Sequence, residues 1–410
     1  MDIISCLQDP IQWQQFLAAR QEGGHSSPGE EKALAAFVRS GTYLAPCEKA
    51  ARGESFSPPR KVAISKLHSD KKRIVYIHSP EERNVLKLLT YLLQRKYDHL
   101  FAPNLYSFRP GRSVRTAIED LTRQPGLGSM YSYKVDIQDY FNSIPIGNLL
   151  PELKQVLQED PGVYDFLAAL LENPSVSQDG RIIEEPNKGI MAGTPVSAFL
   201  ANFYLRNLDK RFSEAGKLYA RYSDDIITFA SSSAELEENI CWIKDALALG
   251  GLTVNPKKES RTAPGEPWIF LGFLFKEGNI DIAPVSLEKL KGKMRRKARA
   301  LARWKDRKAA TGENAAKAFI RAFNRKLFEN PMDHELTWAR WYFPMITTAE
   351  SLKIIDQYSQ NCIRYLATGK HTKSAYNFRY EDMKELGYIS LVNAYYSHRF
   401  HREKAEETVD

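Results

Sequence analysis

Asp224 and Asp225 are adjacent acids set between two runs that favour β structure, Tyr219 to Tyr222 on one side and Ile226, Ile227 and Phe229 on the other. The pattern predicts a hairpin of two buried strands with both carboxylates at its tip. Two negative charges held together between apolar strands are costly unless a cation neutralises them. Hard divalent ions with oxygen ligands do this, and a two-ion site suits in-line displacement at phosphorus. A plain polar turn would also favour Asp, on conformational grounds alone. A third acid weighs against that simpler reading. Residues 131–145 predict a strand that runs into Asp136 and then turns, so a carboxylate from a second strand would face the Asp-Asp tip. The main-chain carbonyl of Ile137 is a further candidate metal ligand. Asp139, past the strand end, reads as a helix or turn cap.

Around these acids the chain alternates short apolar runs with helical patterns. Residues 1–52 read as helical and peripheral, interrupted at 23–29 by Gly-Gly-His-Ser-Ser-Pro-Gly. Basic residues surround the β-like run Ile74-Val-Tyr-Ile77, and an apolar helical stretch follows at 81–97. Ser113 is placed to cap a helix after the Pro110-Gly111 turn, flanked by Arg109 and Arg112. A β hairpin is expected around Asn173–Glu185, and everything after Ser286 reads as helical and rich in aromatics. Residues 289–308 put Leu290, Met294, Ala298 and Leu301 on one stripe and basic residues on the remaining circumference. Such a helix repels itself unless it faces phosphates. The cluster Trp338, Trp341, Tyr342 and Phe343 reads as core, not as a platform for bases.

Composition narrows the class. With 43% hydrophobic and 26% charged residues over 410 positions, the chain is expected to be globular, with two or three packed subdomains. It has no apolar run long enough to cross a membrane as a helix, and the N-terminus does not read as a secretory signal. The four cysteines, Cys6, Cys47, Cys241 and Cys362, lack metal-type spacing and read as thiols of a reducing cytoplasm. A formal charge of +8 favours a polyanionic partner.

Taken in order, the motifs resemble those of reverse transcriptases, bacterial ones above all. The series is Lys72-Arg73, Phe108-Arg-Pro-Gly-Arg112, Lys134-Val-Asp-Ile-Gln-Asp-Tyr-Phe141, Gly189-Ile-Met-Ala-Gly193, Tyr222-Ser-Asp-Asp225, Asn255-Pro-Lys-Lys258 and Leu271-Gly-Phe273. The Phe-Arg-Pro-Gly-Arg-Ser segment is similar to group II intron enzymes, and Asp-Ile-X-Asp-Tyr-Phe-X-Ser-Ile to retron enzymes. Gly-Thr-Pro-Val-Ser-Ala at 193–198 and the tail motifs Trp341-Tyr-Phe-Pro-Met-Ile-Thr and Arg364-Tyr-Leu-Ala-Thr-Gly-Lys370 resemble the "unknown group" enzymes associated with antiviral defence. One position departs from the family: Ala192 stands where a glutamine usually touches nucleotide and template.

The resemblance implies an α+β right-hand polymerase with an antiparallel palm sheet. Its expected parts are a helical extension over 1–52, fingers over 53–130, a palm over 131–285 with part of the fingers at 150–200, and a helical thumb over 286–410. It implies two Mg²⁺ ions, with Mn²⁺ as substitute, held by Asp136, Ile137, Asp224 and Asp225. Lys72, Arg73 and more weakly Lys66 are candidates for the triphosphate, Phe141 for a gate against the ribose 2′-OH, Gly193 for close backbone approach, and Lys258 for protonating pyrophosphate. Arg109 and Arg112 would contact template phosphates, Gly272 would lie at the primer grip, and Arg295, Arg296 and Arg299 would grip the hybrid. The expected activity is RNA-templated DNA synthesis from dNTPs, copying a cognate structured RNA into cDNA in cytoplasmic antiphage defence, with no membrane partner. Retron-type or template-independent, protein-primed synthesis and a non-catalytic RNA-binding module are the alternatives.

Overall fold

The computed structural model of the protein describes residues 2–23, 28–65, 72–328 and 337–407. Its described residues form two compact units, one reaching Glu266 and one beginning at Pro267. Residues 267–285, grouped with the palm in the sequence reading, fall in the second unit.

The first unit carries two four-stranded sheets. In chain order the strands are β1 (Arg60–Ser65), β2 (Lys72–Ile77), β3 (Tyr131–Asp136), β4 (Ser175–Gln178), β5 (Arg181–Glu184), β6 (Tyr219–Tyr222), β7 (Asp225–Ala230) and β8 (Ser260–Thr262). One sheet has the order β2-β1-β4-β5, and its β4–β5 pair is the hairpin expected at 173–185. The other sheet, β6-β7-β3-β8, is antiparallel throughout. Its register sets Asp136 opposite Asp225, so the ends of β3 and β7 bring the third acid to the hairpin tip. Tyr133, Val135, Ile226 and Ile227 are buried, as the β-branched and aromatic run predicts.

The helix Pro80–Lys96 starts at a Ser79 cap and buries Val85, Leu88, Leu89 and Leu93 in the core. Ser113 caps the helix Val114–Thr122 as expected, in a reciprocal box with Thr116. The N-terminal helices are a correction. They are not peripheral: Ile3, Leu7, Trp13, Phe16 and Cys47 lie in the same buried core as Leu89 and Phe166. The Ile3 amide also donates to buried Asp160 at 2.9 Å. The interruption expected at 23–29 falls between helices ending at Gly23 and beginning at Pro28, with 24–27 outside the described residues.

The second unit carries the small sheet of β9 (Trp268–Phe270), β10 (Phe273–Lys276) and β11 (Asn279–Ile282) and the helices Pro284–Lys308, Gly312–Leu327, Glu350–Thr368 and Leu391–Glu407. Leu290, Met294, Ala298 and Leu301 face inward on the first of these helices, while Arg295, Arg296 and Arg299 are exposed. Tyr342 and Phe343 are core residues, the first tilted against Trp338 and the second edge-on to Tyr395. The mixed α and β fold, with the antiparallel sheet β6-β7-β3-β8 carrying the acids, is the class expected. No described helix is long and apolar enough to cross a membrane.

Candidate active site

Three acids meet where β3, β6 and β7 end. Asp136, the last residue of β3, is buried at 4% exposure. Asp225 opens β7, and Asp224 stands in the turn after Ser223. Ser223 has φ +60°, the left-handed conformation of a tight two-residue hairpin turn between the paired Tyr222 and Asp225. The Ile137 amide donates to the Asp224 carbonyl at 3.0 Å and the Asn255 amide to the Asp136 carbonyl at 2.8 Å, so both acid-bearing main chains are tied across the sheet. The role foreseen for Ile137 concerns its carbonyl, while its side chain is core.

Two lysines answer this negative charge. The Lys258 ammonium donates to Asp136, with its own side chain 54% exposed. Lys134, two residues before Asp136, has its ammonium 3.5 Å from Asp225. Burial, reinforced by Asp136 and Asp225, pushes Asp224 up to about 6. Burial also raises Asp225, against the pull of Lys134. For Lys258, burial works against the ammonium, but the acids and above all Asp136 raise it on balance.

Among the described residues, no group of three or more His, Cys, Asp and Glu is arranged to hold a metal ion as it stands. The donor chemistry still fits a hard divalent cation. Three carboxylates from two strands share one place, and the elevated Asp224 marks charge that the two lysines leave uncompensated. A cation there would take over the pairing that Lys258 now supplies to Asp136.

The other expected site residues divide into those gathered near the acids and those engaged elsewhere. Phe141 is half-buried, edge-on to Phe108 at 6.3 Å, and Phe108 in turn lies 6.5 Å from Tyr222. An aromatic group thus stands beside the Asp-Asp turn. Lys72 and Arg73 are exposed at the start of β2. Strand alternation puts Arg73 on the side of Val75, which packs against Gly193. Gly193 has φ +99°, and a Cβ there would stand 3.0 Å from the Tyr76 carbonyl oxygen. The glycine is thus required by the close approach of protein backbone on β2. Ala192 is buried, with its amide on Asn142 at 2.9 Å and its carbonyl receiving the Tyr76 amide at 2.7 Å. Asp139 precedes the short helix Tyr140–Ser143 with φ +46° and makes no side-chain cap, contrary to expectation. Lys66 lies outside the described residues.

Arg109 is a second correction. Its side chain is 7% exposed and forks onto Asp98 at 2.8 and 3.0 Å, with further bonds to the Ala102 and Leu105 carbonyls. It braces the loop that carries it. Arg112 remains partly exposed, 3.4 Å from Asp120. In the second unit, Leu271 and Gly272 form the two-residue turn between β9 and β10, both with positive φ, as tight hairpins require. Sequence reasoning missed Lys134 and Arg221. The signal for both was a charge inside a strand otherwise apolar, which demands a partner.

Residues 64–275 match the reverse transcriptase (RNA-dependent DNA polymerase) family. Over 160 residues, 38% of this chain, the sequence is 31% identical to an uncharacterized 91 kDa protein in the cob intron of Schizosaccharomyces pombe. Over 176 residues, 42% of this chain, it is 28% identical to the group II intron-encoded protein LtrA of Lactococcus lactis subsp. cremoris. The matched stretches span only 19% and 28% of those relatives' lengths. Among solved structures, apo telomerase of Candida tropicalis, truncated from the C-terminal domain, aligns over 58% of each chain with 13% identity and a TM-score of 0.44. With the family match covering just over half of its residues and the three acids meeting at the strand ends, the chain belongs to the reverse transcriptase family.

Proposed function

We propose that the protein is an RNA-templated DNA polymerase that adds dNTPs to a primer 3′-OH. The observation that carries this is the convergence of Asp136, Asp224 and Asp225 at the ends of paired strands, in a member of this family. Asp136, Asp224, Asp225 and the Ile137 carbonyl would hold two Mg²⁺ ions. When bound, such ions acidify the primer hydroxyl and neutralise the leaving pyrophosphate. The residues of the chain do the rest by position and charge. Arg73, with Lys72, offers a planar fork to the triphosphate oxygens. Phe141 presents bulk where a 2′-OH would come. Lys258, kept protonated by its carboxylate neighbours, holds a proton at Nζ for the departing pyrophosphate. Gly193 lets the 189–194 segment lie close on β2 and so fixes the floor beneath Arg73.

Arg112, Gly272, Arg295, Arg296 and Arg299 are assigned to the template–primer backbone, where contacts position the duplex without reading it. The motifs at 193–198, 341–347 and 364–370 support copying of a cognate structured RNA into cDNA in antiphage defence, in the cytoplasm and with an effector still to be found. A second reading, synthesis with little template dependence, draws on Ala192: it lacks the side chain that would touch the template, and its main chain is taken up by Asn142 and Tyr76. The test is Mg²⁺-dependent dNTP incorporation on an RNA template–primer. Asp224→Ala with Asp225→Ala should abolish it while RNA binding persists. Retained synthesis in that double variant refutes the assignment.

A further inference from the structure

Arg221 is wholly buried, as is its partner Asp209, and neither belongs to the acid cluster. The guanidinium forks onto the carboxylate at 2.8 and 2.5 Å, and the Tyr219 hydroxyl donates to the same carboxylate at 2.9 Å. A buried ion pair is weak support for stability, because desolvation offsets most of its attraction. Its remaining bonds suggest a different use. Arg221 Nη1 donates to the Ser223 carbonyl at 3.3 Å, and Nη2 to the Asn202 carbonyl at 3.1 Å. The Ser223 amide donates to the Ser107 hydroxyl at 2.8 Å. Ser107 in turn donates to the Asn202 side-chain oxygen at 3.0 Å and receives the Asn202 side-chain amide on its carbonyl at 2.7 Å.

These bonds converge on one residue. Ser223 is held in a left-handed conformation that a non-glycine residue adopts only when its surroundings over-determine it. Its amide is fixed from the 104–107 loop and its carbonyl from Arg221. The next carbonyl, that of Asp224, is fixed from Ile137. The Ser223 amide, the Ser223 carbonyl and the Asp224 carbonyl, which flank the Asp224 side chain, are thus each anchored to a buried partner.

We propose that Arg221 is a positioning residue for Asp224: braced by Asp209, it holds with Ser107 the Ser223 turn that aims the Asp224 carboxylate. The same bonds tie the Phe108–Gly111 loop to the acid cluster, since Ser107 directly precedes that loop and bonds Ser223. This rests on the polymerase reading.

The test uses the full chain, an RNA template–primer and dNTPs with Mg²⁺. Arg221→Met combined with Asp209→Asn removes both charges together and leaves Tyr219 an acceptor, so no buried charge is orphaned. This variant should melt near the wild-type temperature yet lose about 100-fold in kcat, the loss that a misplacement of about 1 Å produces. The dNTP KM should stay unchanged, and more Mg²⁺ should be needed for half-maximal rate. Ser107→Ala, which retains the ion pair, should lower kcat about ten-fold with the same rise in Mg²⁺ requirement, the smaller loss expected for one positioning bond of several; it decides the matter if the paired variant does not fold. Wild-type kcat and Mg²⁺ dependence in the folded paired variant, or in Ser107→Ala, would overturn the positioning role alone. A wild-type chain that incorporates no dNTP would overturn the polymerase reading beneath it.

Discussion

Removing one charge from the acid cluster should make the metal-free protein more stable, and only above a definite pH. Burial and the neighbouring carboxylates raise Asp224 from 3.8 to about 6. A folded-state value above the unfolded one means that the unfolded chain gives up this proton first. The associated stability is therefore complete below about 3.8 and is lost as pH rises through about 6. A displacement of about two pH units, at about 1.36 kcal/mol each, sets a ceiling of about 3 kcal/mol on that loss. Water reaching the half-buried carboxyl screens part of it, so Asp224→Asn should stabilise the protein by about 1–3 kcal/mol near pH 7.5. The gap should close near pH 4. Chemical unfolding of both proteins in EDTA, at the two pH values, measures it. Mg²⁺ should then stabilise the wild type more than the variant, because only the wild type keeps the full charge. A variant equally or less stable near pH 7.5, or a gap that does not depend on pH, would refute the claim that the cluster is uncompensated.

Three further outcomes are expected. Phe141→Ala should raise rNTP use relative to dNTP use about ten- to a hundred-fold, read as the ratio of incorporation efficiencies, since one steric clash is worth a few kcal/mol. Replacing Arg295, Arg296 and Arg299 by Gln should weaken binding to many RNAs alike and flatten the log–log dependence of affinity on salt, by up to about 0.9 per lost phosphate contact. Arg109→Gln should behave differently: its guanidinium is enclosed with Asp98 and two carbonyls, so a lowered melting temperature, about 1–3 kcal/mol of stability, is expected with no change in the salt slope.

The site was legible where chemistry and local pattern coincide. A β-favouring run broken by Ser-Asp-Asp can fold as little but a hairpin, and a strand ending in Asp136 has one sensible partner for its carboxylate. The helix Pro284–Lys308 announced itself through a stripe of Leu290, Met294 and Leu301 among cations. What escaped depends on distance along the chain. Asp209 answers Arg221 from a separate helix, and Asp98 takes Arg109 out of solvent. Neither pairing leaves a periodic trace. The N-terminal helices looked peripheral because Pro10–Gly23 shows no single apolar stripe: Ile11 is exposed while Trp13 and Phe16 are buried. Only the tertiary fold selects between them. Gly193 was read toward a ligand because a glycine's need for space is visible in sequence, whereas what occupies that space, here the Tyr76 carbonyl, is not.

The most direct measurement is to supply the purified chain with an RNA template of defined sequence, an annealed primer and dNTPs, and to sequence whatever it makes. The account predicts DNA complementary to the template, formed with Mg²⁺, stopped by EDTA, and absent with Asp136→Asn. No product, a product unrelated in sequence to the template, or undiminished synthesis by Asp136→Asn would contradict it.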